Sequence, residues 1–194
     1  MIIRRHIPPL TLSVLSLLLA VGGEKFSVMF RFERTSIAAG ELWRLLTCHL
    51  MHLGWTHLLL NLTGLLLVWW IVGAAYSLRQ WCWLIALIAP GIAGALYLFN
   101  PELSWYVGLS GLIYGMLASG LVGRFSHHPR ESVIIGAVLA IKLLWEQQYG
   151  SITESFLTGP VVLDAHLYGA LAGILSATVI LFLRPNNTAV EQGD

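Results

Sequence analysis

The chain has 194 residues, of which 57% are hydrophobic and 11% are charged, and its mean hydropathy is +0.75. A soluble globular domain carries about 25% charged residues, so this composition excludes that class. It predicts an integral membrane protein built as one domain over residues 1–194. The formal net charge is +1 and basic residues do not cluster, so we expect no nucleic acid partner.

Six apolar segments follow one another along the chain. They lie near residues 8–23, 53–75, 80–99, 110–123, 132–149 and 163–183. A spanning helix needs about 20 apolar residues, and several of these segments are shorter. We predict an all-α integral membrane fold, a bundle of six transmembrane helices. Residues 24–51 are expected to form an interfacial external loop, and residues 185–194 a polar tail.

The positive charges predict the orientation of this bundle, because they favour the cytoplasmic side. The first segment resembles a cleaved signal peptide as well, but a retained helix gives an even number of spans and puts both termini on one side. That side carries Arg4, Arg5, Arg79, Arg124, Arg130 and Arg184. Both termini are therefore predicted to be cytoplasmic, with the lipid bilayer as the immediate surroundings of the helices.

Two external links carry the remaining charges. The last one, residues 146–164, has only acidic charges, as expected outside. The first one breaks the charge rule with four basic residues, namely Lys25, Arg31, Arg34 and Arg44. It also contains Phe26, Phe30, Phe32 and Trp43. We therefore expect it to lie in the interface with its aromatic side chains in lipid.

Three polar side chains fall on one side of the membrane in this topology. His57, Ser110 and His166 lie early in the second, fourth and sixth segments, which all enter from outside. The fourth segment is about 14 residues, or roughly 20 Å, against a hydrocarbon core of about 30 Å. Ser110 is thus expected about 10 Å below the outer surface. The non-helical approach over residues 100–108 would then line a water-filled cavity.

Small residues predict that the fourth and sixth helices touch. Gly111, Gly115 and Ser119 form one ridge, and Gly169, Gly173 and Ala177 form the other. His166 shares the face of its ridge, so it should point at the fourth helix, within reach of Ser110. A serine hydroxyl needs a base to become a nucleophile, and His166 is the candidate.

The surroundings of this pair predict a catalytic dyad. Asp164 does not share the helical face of His166, so we expect a Ser–His dyad without a carboxylate. Tyr114 lies one turn below Ser110 and can pack on the imidazole ring. Because no acidic residue is expected well inside a helix and no inverted repeat is visible, a transporter is disfavoured.

Donors for a developing oxyanion are also available. The Ser110 amide lies at a helix N-terminus, and His57 and Asn61 are four residues apart on one face of the second segment. Their side chains can aim at one point, with Asn61 favoured. The alternative is a hydrogen bond between helices that only holds the bundle together.

Other hydrolase classes fit the sequence less well. His49, His52 and His57 lie close in sequence, but there is no HExxH motif and no carboxylate cluster, so we predict no metal and no other cofactor. The residues around Ser110 do not form a G-x-S-x-G elbow, since Leu112 occupies the last position. An α/β-hydrolase is therefore not expected.

These motifs together resemble the rhomboid intramembrane serine protease family. The resemblance covers residues 40–183 and rests on Trp43-Arg44, His52, His57-x-x-x-Asn61, Gly108-Leu109-Ser110-Gly111 with Tyr114, and Ala165-His166 with Gly169 and Gly173. It implies a six-helix bundle with Ser110 as nucleophile and His166 as base. It also implies support of the oxyanion by His57 and Asn61, within a site that includes Gly108 and Tyr114. Many rhomboids have a histidine where this chain has Cys48, next to His49, which puts one structural hydrogen bond in doubt.

Two runs are most similar to the rhombosortase branch of the family. They are residues 40–47, GELWRLLT, and residues 164–173, DAHLYGALAG. The resemblance implies a bacterial inner membrane location with the active site open to the periplasmic side. Its partners would be single-span substrates that carry a C-terminal GlyGly-containing sorting signal. The alternatives are a general rhomboid protease with other transmembrane substrates and an inactive rhomboid relative that binds membrane clients.

Overall fold

The computed structural model describes residues 5–151, 156–157 and 159–183. Its elements in chain order are α1 (Ile7–Val21), α2 (Gly23–Phe30), β1 (Phe32–Glu33), α3 (Arg34–Ala38), α4 (Arg44–Thr47), a 3₁₀ turn (Cys48–Leu50), α5 (Trp55–Val72), α6 (Leu78–Phe99), β2 (Trp105–Tyr106), α7 (Ser110–Arg124), α8 (Pro129–Tyr149) and α9 (Asp164–Phe182). Helices α1 and α5 to α9 overlap the six apolar segments. The predicted polar tail, residues 185–194, lies outside the described residues.

Local signals explain where several of these helices begin. Ser77 and Gln80 form a capping box at the start of α6. Pro129 occupies the first position of α8, where its missing N–H costs nothing. Pro90 lies inside α6, yet the helix is continuous over all of its 22 residues. The lipid-spanning length of α6 is therefore kept.

By length and apolar composition, fewer helices than the six predicted qualify as membrane spans. Among the described residues, α5, α6 and α9 are long and apolar enough, and α1 with α2 makes a fourth if this pair, bent by 120°, is one span. Helix α7 has only 15 residues, and α8 carries charged residues at both ends. The chain is a mostly helical membrane protein, and the count of six spans stays a prediction.

The link between α1 and α5 differs from the predicted interfacial loop. It contains three short α-helices, a 3₁₀ turn and a strand. The strand β1 pairs with β2 in an antiparallel ladder, with Phe32 opposite Tyr106. The described fold is mostly helical, as predicted, and this ladder of two residues per strand is a small departure from an all-α bundle. Phe32 is fully buried in the core rather than inserted in lipid, because the ladder turns its ring inward.

Buried hydrogen bonds explain why this external link carries arginines. Arg34 donates to the carbonyl oxygens of Leu96, Tyr97, Asn100 and Leu103, at and beyond the end of α6. The last carbonyl groups of a helix are short of backbone donors, and a cation is favoured at a helix C-terminus. Arg44 is 6% exposed and donates to the carbonyls of Val28 and Arg31. Both side chains hold the link together, so their positions follow packing rather than charge bias.

Helix α7 lies at the centre of the bundle and packs against α5, α6, α8 and α9. Its contact with α9 is made by backbone atoms, as the two small-residue ridges predicted. A Cβ placed on Gly169 would lie 2.0 Å from the Gly111 oxygen, and one on Gly173 would lie 2.2 Å from the Gly115 oxygen. Only glycine fits at these positions, and the ridge prediction is confirmed. This contact sets the distance between Ser110 and His166.

Candidate active site

The structure brings the side chains of Ser110 and His166 into hydrogen-bond contact. Ser110 is the first residue of α7, and His166 lies in the first turn of α9. The Ser110 Oγ and the His166 Nε2 are 2.8 Å apart. The imidazole is 4% exposed, whereas Ser110 is partly exposed. A nucleophile within reach of a base, and accessible to a substrate, is the arrangement that acyl transfer requires.

Tyr114 packs against the imidazole of His166. Its ring stacks on the His166 imidazole, with centroids 4.4 Å apart and an angle of 4° between the planes. The contact is possible because Tyr114 follows Ser110 by one helical turn. Stacking limits the rotation of the imidazole and keeps its Nε2 directed at Ser110.

Glu146 contradicts the expectation of a pair without a carboxylate. Its Oε2 lies 2.9 Å from the His166 Nδ1, and the residue is 3% exposed. Glu146 was expected in an external link, but it lies in the last turn of α8. The expectation that acidic residues lie outside the helices therefore missed a buried carboxylate.

A periodic signal in the sequence could have found this carboxylate. The buried residues of α8 are Ser132, Leu139, Leu143 and Glu146, and the last three share one face at spacings of four and three. Glu146 therefore continues the inward stripe of an apolar helix. An acidic residue in that position needs partners. Here these are His166, the hydroxyl of Tyr114 at 3.3 Å and the ammonium of Lys142.

The hydrogen bonds define the tautomer of His166. An ionised carboxylate only accepts hydrogen bonds, so the Nδ1 facing Glu146 carries the proton. The Nε2 then presents its lone pair to the Ser110 hydroxyl. This is the tautomer in which the imidazole can remove the serine proton.

His57 also lies next to Ser110, across Gly108. The Leu53 amide donates to the His57 Nδ1 at 3.3 Å, which leaves the proton on Nε2. A Cβ built on Gly108 would be 3.4 Å from the His57 Nε2 and 3.8 Å from the Ser110 Oγ. The Nε2–H of His57 and the serine hydroxyl thus both border the position where a Gly108 side chain would lie.

Asn61 follows one turn later in α5 and is buried like His57, each with 6% exposure. Among the described residues, its Nδ2 has no hydrogen-bond partner. A buried donor without a partner costs about 1–3 kcal/mol. Within this part of the chain, the Asn61 Nδ2 therefore does not donate a hydrogen bond to another helix.

The backbone polar groups just before Ser110 form hydrogen bonds with other parts of the protein. Gly108 has φ of 137°, which favours glycine. Its amide donates to the Cys48 carbonyl at 3.1 Å, and its carbonyl accepts from the Tyr106 hydroxyl at 2.7 Å. Non-helical backbone at this level needs such partners.

The nearby histidines have separate structural partners. The His49 Nε2 donates to the Ala89 carbonyl at 2.8 Å, so the residue beside Cys48 makes a hydrogen bond to α6. The His52 ring lies 5.2 Å from that of His57, and burial lowers the pKa of His52 to about 3. Over residues 5–151, 156–157 and 159–183, His, Cys, Asp and Glu do not form a group of three that could hold a metal ion.

Comparison with known proteins identifies the family. A sequence model of the Rhomboid domain matches residues 39–183. Rhomboid protease GluP of Bacillus subtilis (strain 168) is 29% identical over 152 residues, which cover 76% of this chain and 28% of GluP. Putative rhomboid protease YdcA of the same organism is 29% identical over 150 residues, which cover 72% of this chain and 67% of YdcA. Uncharacterized protein Rv1337 of Mycobacterium tuberculosis is 30% identical over 149 residues, which cover 72% of this chain and 59% of Rv1337.

The match to the domain extends over most of the chain and includes Ser110, His166, His57, Asn61 and Glu146. In contrast, the chain spans 28% of the length of GluP and 59% of that of Rv1337, so the relatives contain regions that this match does not reach. The shared part is the membrane domain itself. The chain belongs to the rhomboid family.

Proposed function

We propose that this protein is an intramembrane serine endopeptidase. The observation that carries the proposal is the 2.8 Å hydrogen bond between the Ser110 Oγ and the His166 Nε2. The two residues come from different helices of an apolar bundle, in a family whose relative GluP is named a rhomboid protease. A paired serine and histidine at the partly exposed start of a helix has no evident structural use.

The reaction follows from the positions of the protons. The Ser110 Oγ attacks the carbonyl carbon of the scissile peptide bond, and its proton passes to the His166 Nε2. The resulting imidazolium then donates this proton to the leaving amine, and the acyl-enzyme forms. A water molecule, activated by the same Nε2, hydrolyses the ester and restores Ser110. None of these steps needs a metal or a cofactor.

The oxyanion is stabilised by donors that are fixed before the reaction. We assign this role to the His57 Nε2–H, the Asn61 Nδ2–H and the Ser110 amide at the N-terminus of α7, where the helix dipole adds to the effect. Gly108 contributes by allowing His57 to lie next to Ser110. The unpartnered Asn61 amide supports this assignment, because a substrate oxyanion would supply the missing acceptor.

The membrane placement completes the proposal. Helix α7 has 15 residues, which correspond to about 22 Å, less than the hydrocarbon core of about 30 Å. With six spans and both termini in the cytoplasm, Ser110 would lie below the external surface of the bacterial inner membrane, in a cavity open to the periplasm. Substrates would be single-span proteins whose helix unwinds locally, which glycine and alanine near the cleavage site would favour.

Labelling with a fluorophosphonate tests the chemistry directly. The detergent-solubilised wild type should form a covalent adduct, and Ser110→Ala and His166→Ala should not. Ser126→Ala, which changes an exposed serine just after α7, is the matched control and should label like the wild type. Equal labelling of wild type and Ser110→Ala would refute the proposal. A folded wild type that does not react at all would favour the inactive client-binding alternative.

The finer proposal is that the substrates carry a C-terminal GlyGly-containing tail, as in rhombosortases. Its support is the similarity of residues 40–47 and 164–173 to that branch. In proteoliposomes, a single-span substrate with this tail should be cleaved, and the same substrate with the two glycines replaced by leucine should not. Equal cleavage of both would leave the general rhomboid protease as the function.

A further inference from the structure

The proton transfers between Ser110 and His166 do not pass through the carboxylate of Glu146, which lies on the Nδ1 side of the imidazole. Glu146 is 3% exposed and faces the interior of the bundle in the last turn of α8, where an ionised side chain is costly. A leucine in its place would continue the apolar stripe formed by Leu139 and Leu143. Replacing a buried ion pair by apolar residues is often neutral or stabilising, so stability alone gives little reason for a glutamate here.

The contacts of Glu146 favour its ionised form. Three donors surround its two oxygens: the His166 Nδ1 at 2.9 Å, the Tyr114 hydroxyl at 3.3 Å and the Lys142 ammonium. Lys142 lies one turn away on α8 and its side chain is 54% exposed, so it can extend towards a polar surface while neutralising the carboxylate. Tyr114 belongs to α7 and His166 to α9, so the carboxylate joins all three helices.

We propose that Glu146 is a positioning residue that completes a Ser110–His166–Glu146 triad, an inference that rests on the proposed protease function. It holds the proton on the His166 Nδ1, so that Nε2 faces Ser110 as the acceptor. When the Ser110 proton moves to Nε2, the imidazole becomes positively charged, and the nearby carboxylate stabilises that charge. No proton moves to Glu146, which stays ionised throughout. Lys142 and Tyr114 keep the carboxylate aligned.

The polar and titratable groups near His166 come from three other helices. Glu146 and Lys142 lie on α8, Tyr114 and Ser110 on α7, and His57 on α5. Glu146 is the group in direct contact with Nδ1, so its replacement changes both the tautomer and the charge. Removing the charge while keeping the shape isolates this effect.

Glu146→Gln keeps the volume and removes the charge. We expect kcat to fall by about 10²-fold or more with KM unchanged, and the rate of fluorophosphonate labelling to fall in parallel. Glu146→Asp restores the charge and should recover activity to within about tenfold of wild type. Glu131→Gln is the matched control, because Glu131 is exposed in the first turn of the same helix. It should behave like the wild type.

The outcomes separate this inference from the proposed function. If wild type shows Ser110-dependent labelling and Glu146→Gln has the wild-type kcat, the triad is wrong and the protease stands. If Glu146→Gln and Glu146→Asp are equally inactive and both melt well below wild type, Glu146 is structural and the triad is also wrong. If labelling of the wild type does not depend on Ser110, both proposals fail. A fall in kcat with rescue by aspartate and an unchanged melting temperature supports the triad.

Discussion

Gly169 offers a test of how the backbone contact between α7 and α9 controls the reaction. In Gly169→Ala, the new Cβ would lie 2.0 Å from the Gly111 oxygen. A carbon–oxygen contact needs about 3.3 Å, so the two helices must separate locally by about 1.3 Å. Gly111 follows Ser110 directly, and Gly169 is one turn from His166. The separation therefore acts where these side chains meet.

The consequence for the hydrogen bond can be worked out from this displacement. The Ser110 Oγ and the His166 Nε2 are 2.8 Å apart, and a separation of about 1.3 Å would carry them beyond the limit of a hydrogen bond. A misplacement of about 1 Å costs on the order of 10²-fold in rate. We expect this loss in kcat for Gly169→Ala, with a destabilisation of about 1–3 kcal/mol from overpacking.

The assay compares cleavage rates and melting temperatures in detergent. Gly94→Ala is the matched control, because Gly94 lies inside α6 and a Cβ there would have no neighbour within 4 Å. It should keep the wild-type rate and gain up to about 1 kcal/mol from helix propensity. A folded Gly169→Ala protein that cleaves at the wild-type rate would refute the claim that the glycine contact sets the distance between serine and histidine.

Two further predictions concern buried polar groups. Asn61→Ala removes one oxyanion donor, so cleavage should slow by about 10²-fold without loss of the folded state, as measured by kcat and circular dichroism; an unchanged kcat would remove Asn61 from the site. Burial lowers the pKa of His49 to about 4, below its ordinary value of about 6.5, so the unfolded chain binds the proton more tightly than the folded one. Stability contributed by neutral His49 is therefore present above pH 6.5 and should fall by about 3 kcal/mol as the pH drops to 4. The melting temperature of the wild type should fall over the same pH range, and so should that of His127→Gln, a control at an exposed residue. The melting temperature of His49→Gln should fall less. Identical pH profiles for all three proteins would contradict this role of His49.

The arrangement of the proposed oxyanion donors was accessible from the sequence only in outline. The spacing of His57 and Asn61 indicates that both lie on one face of a helix. The direction of the donors depends on the Leu53 amide, which binds the His57 Nδ1, and on Gly108, whose lack of a Cβ admits the imidazole. Both are contacts made by loops, and loop conformations are not defined by periodicity.

The sequence by itself determined the helical segments, the two glycine ridges and the convergence of Ser110 with His166. Apolar runs, ridge spacing and chain direction are properties of single segments, so they can be read without knowing how the segments pack. The membrane strengthens these signals, because a spanning backbone must satisfy its own hydrogen bonds.

The tertiary structure alone decided which charged groups would be buried. Glu146 reaches His166 because of the rotation and depth of α8 relative to α9, and Arg34 reaches the end of α6 across more than 60 residues of chain. Such pairings depend on how helices are placed against one another, whereas a helical segment specifies only its own faces. A charge in a sequence therefore indicates that a partner is needed, and packing determines which partner it has.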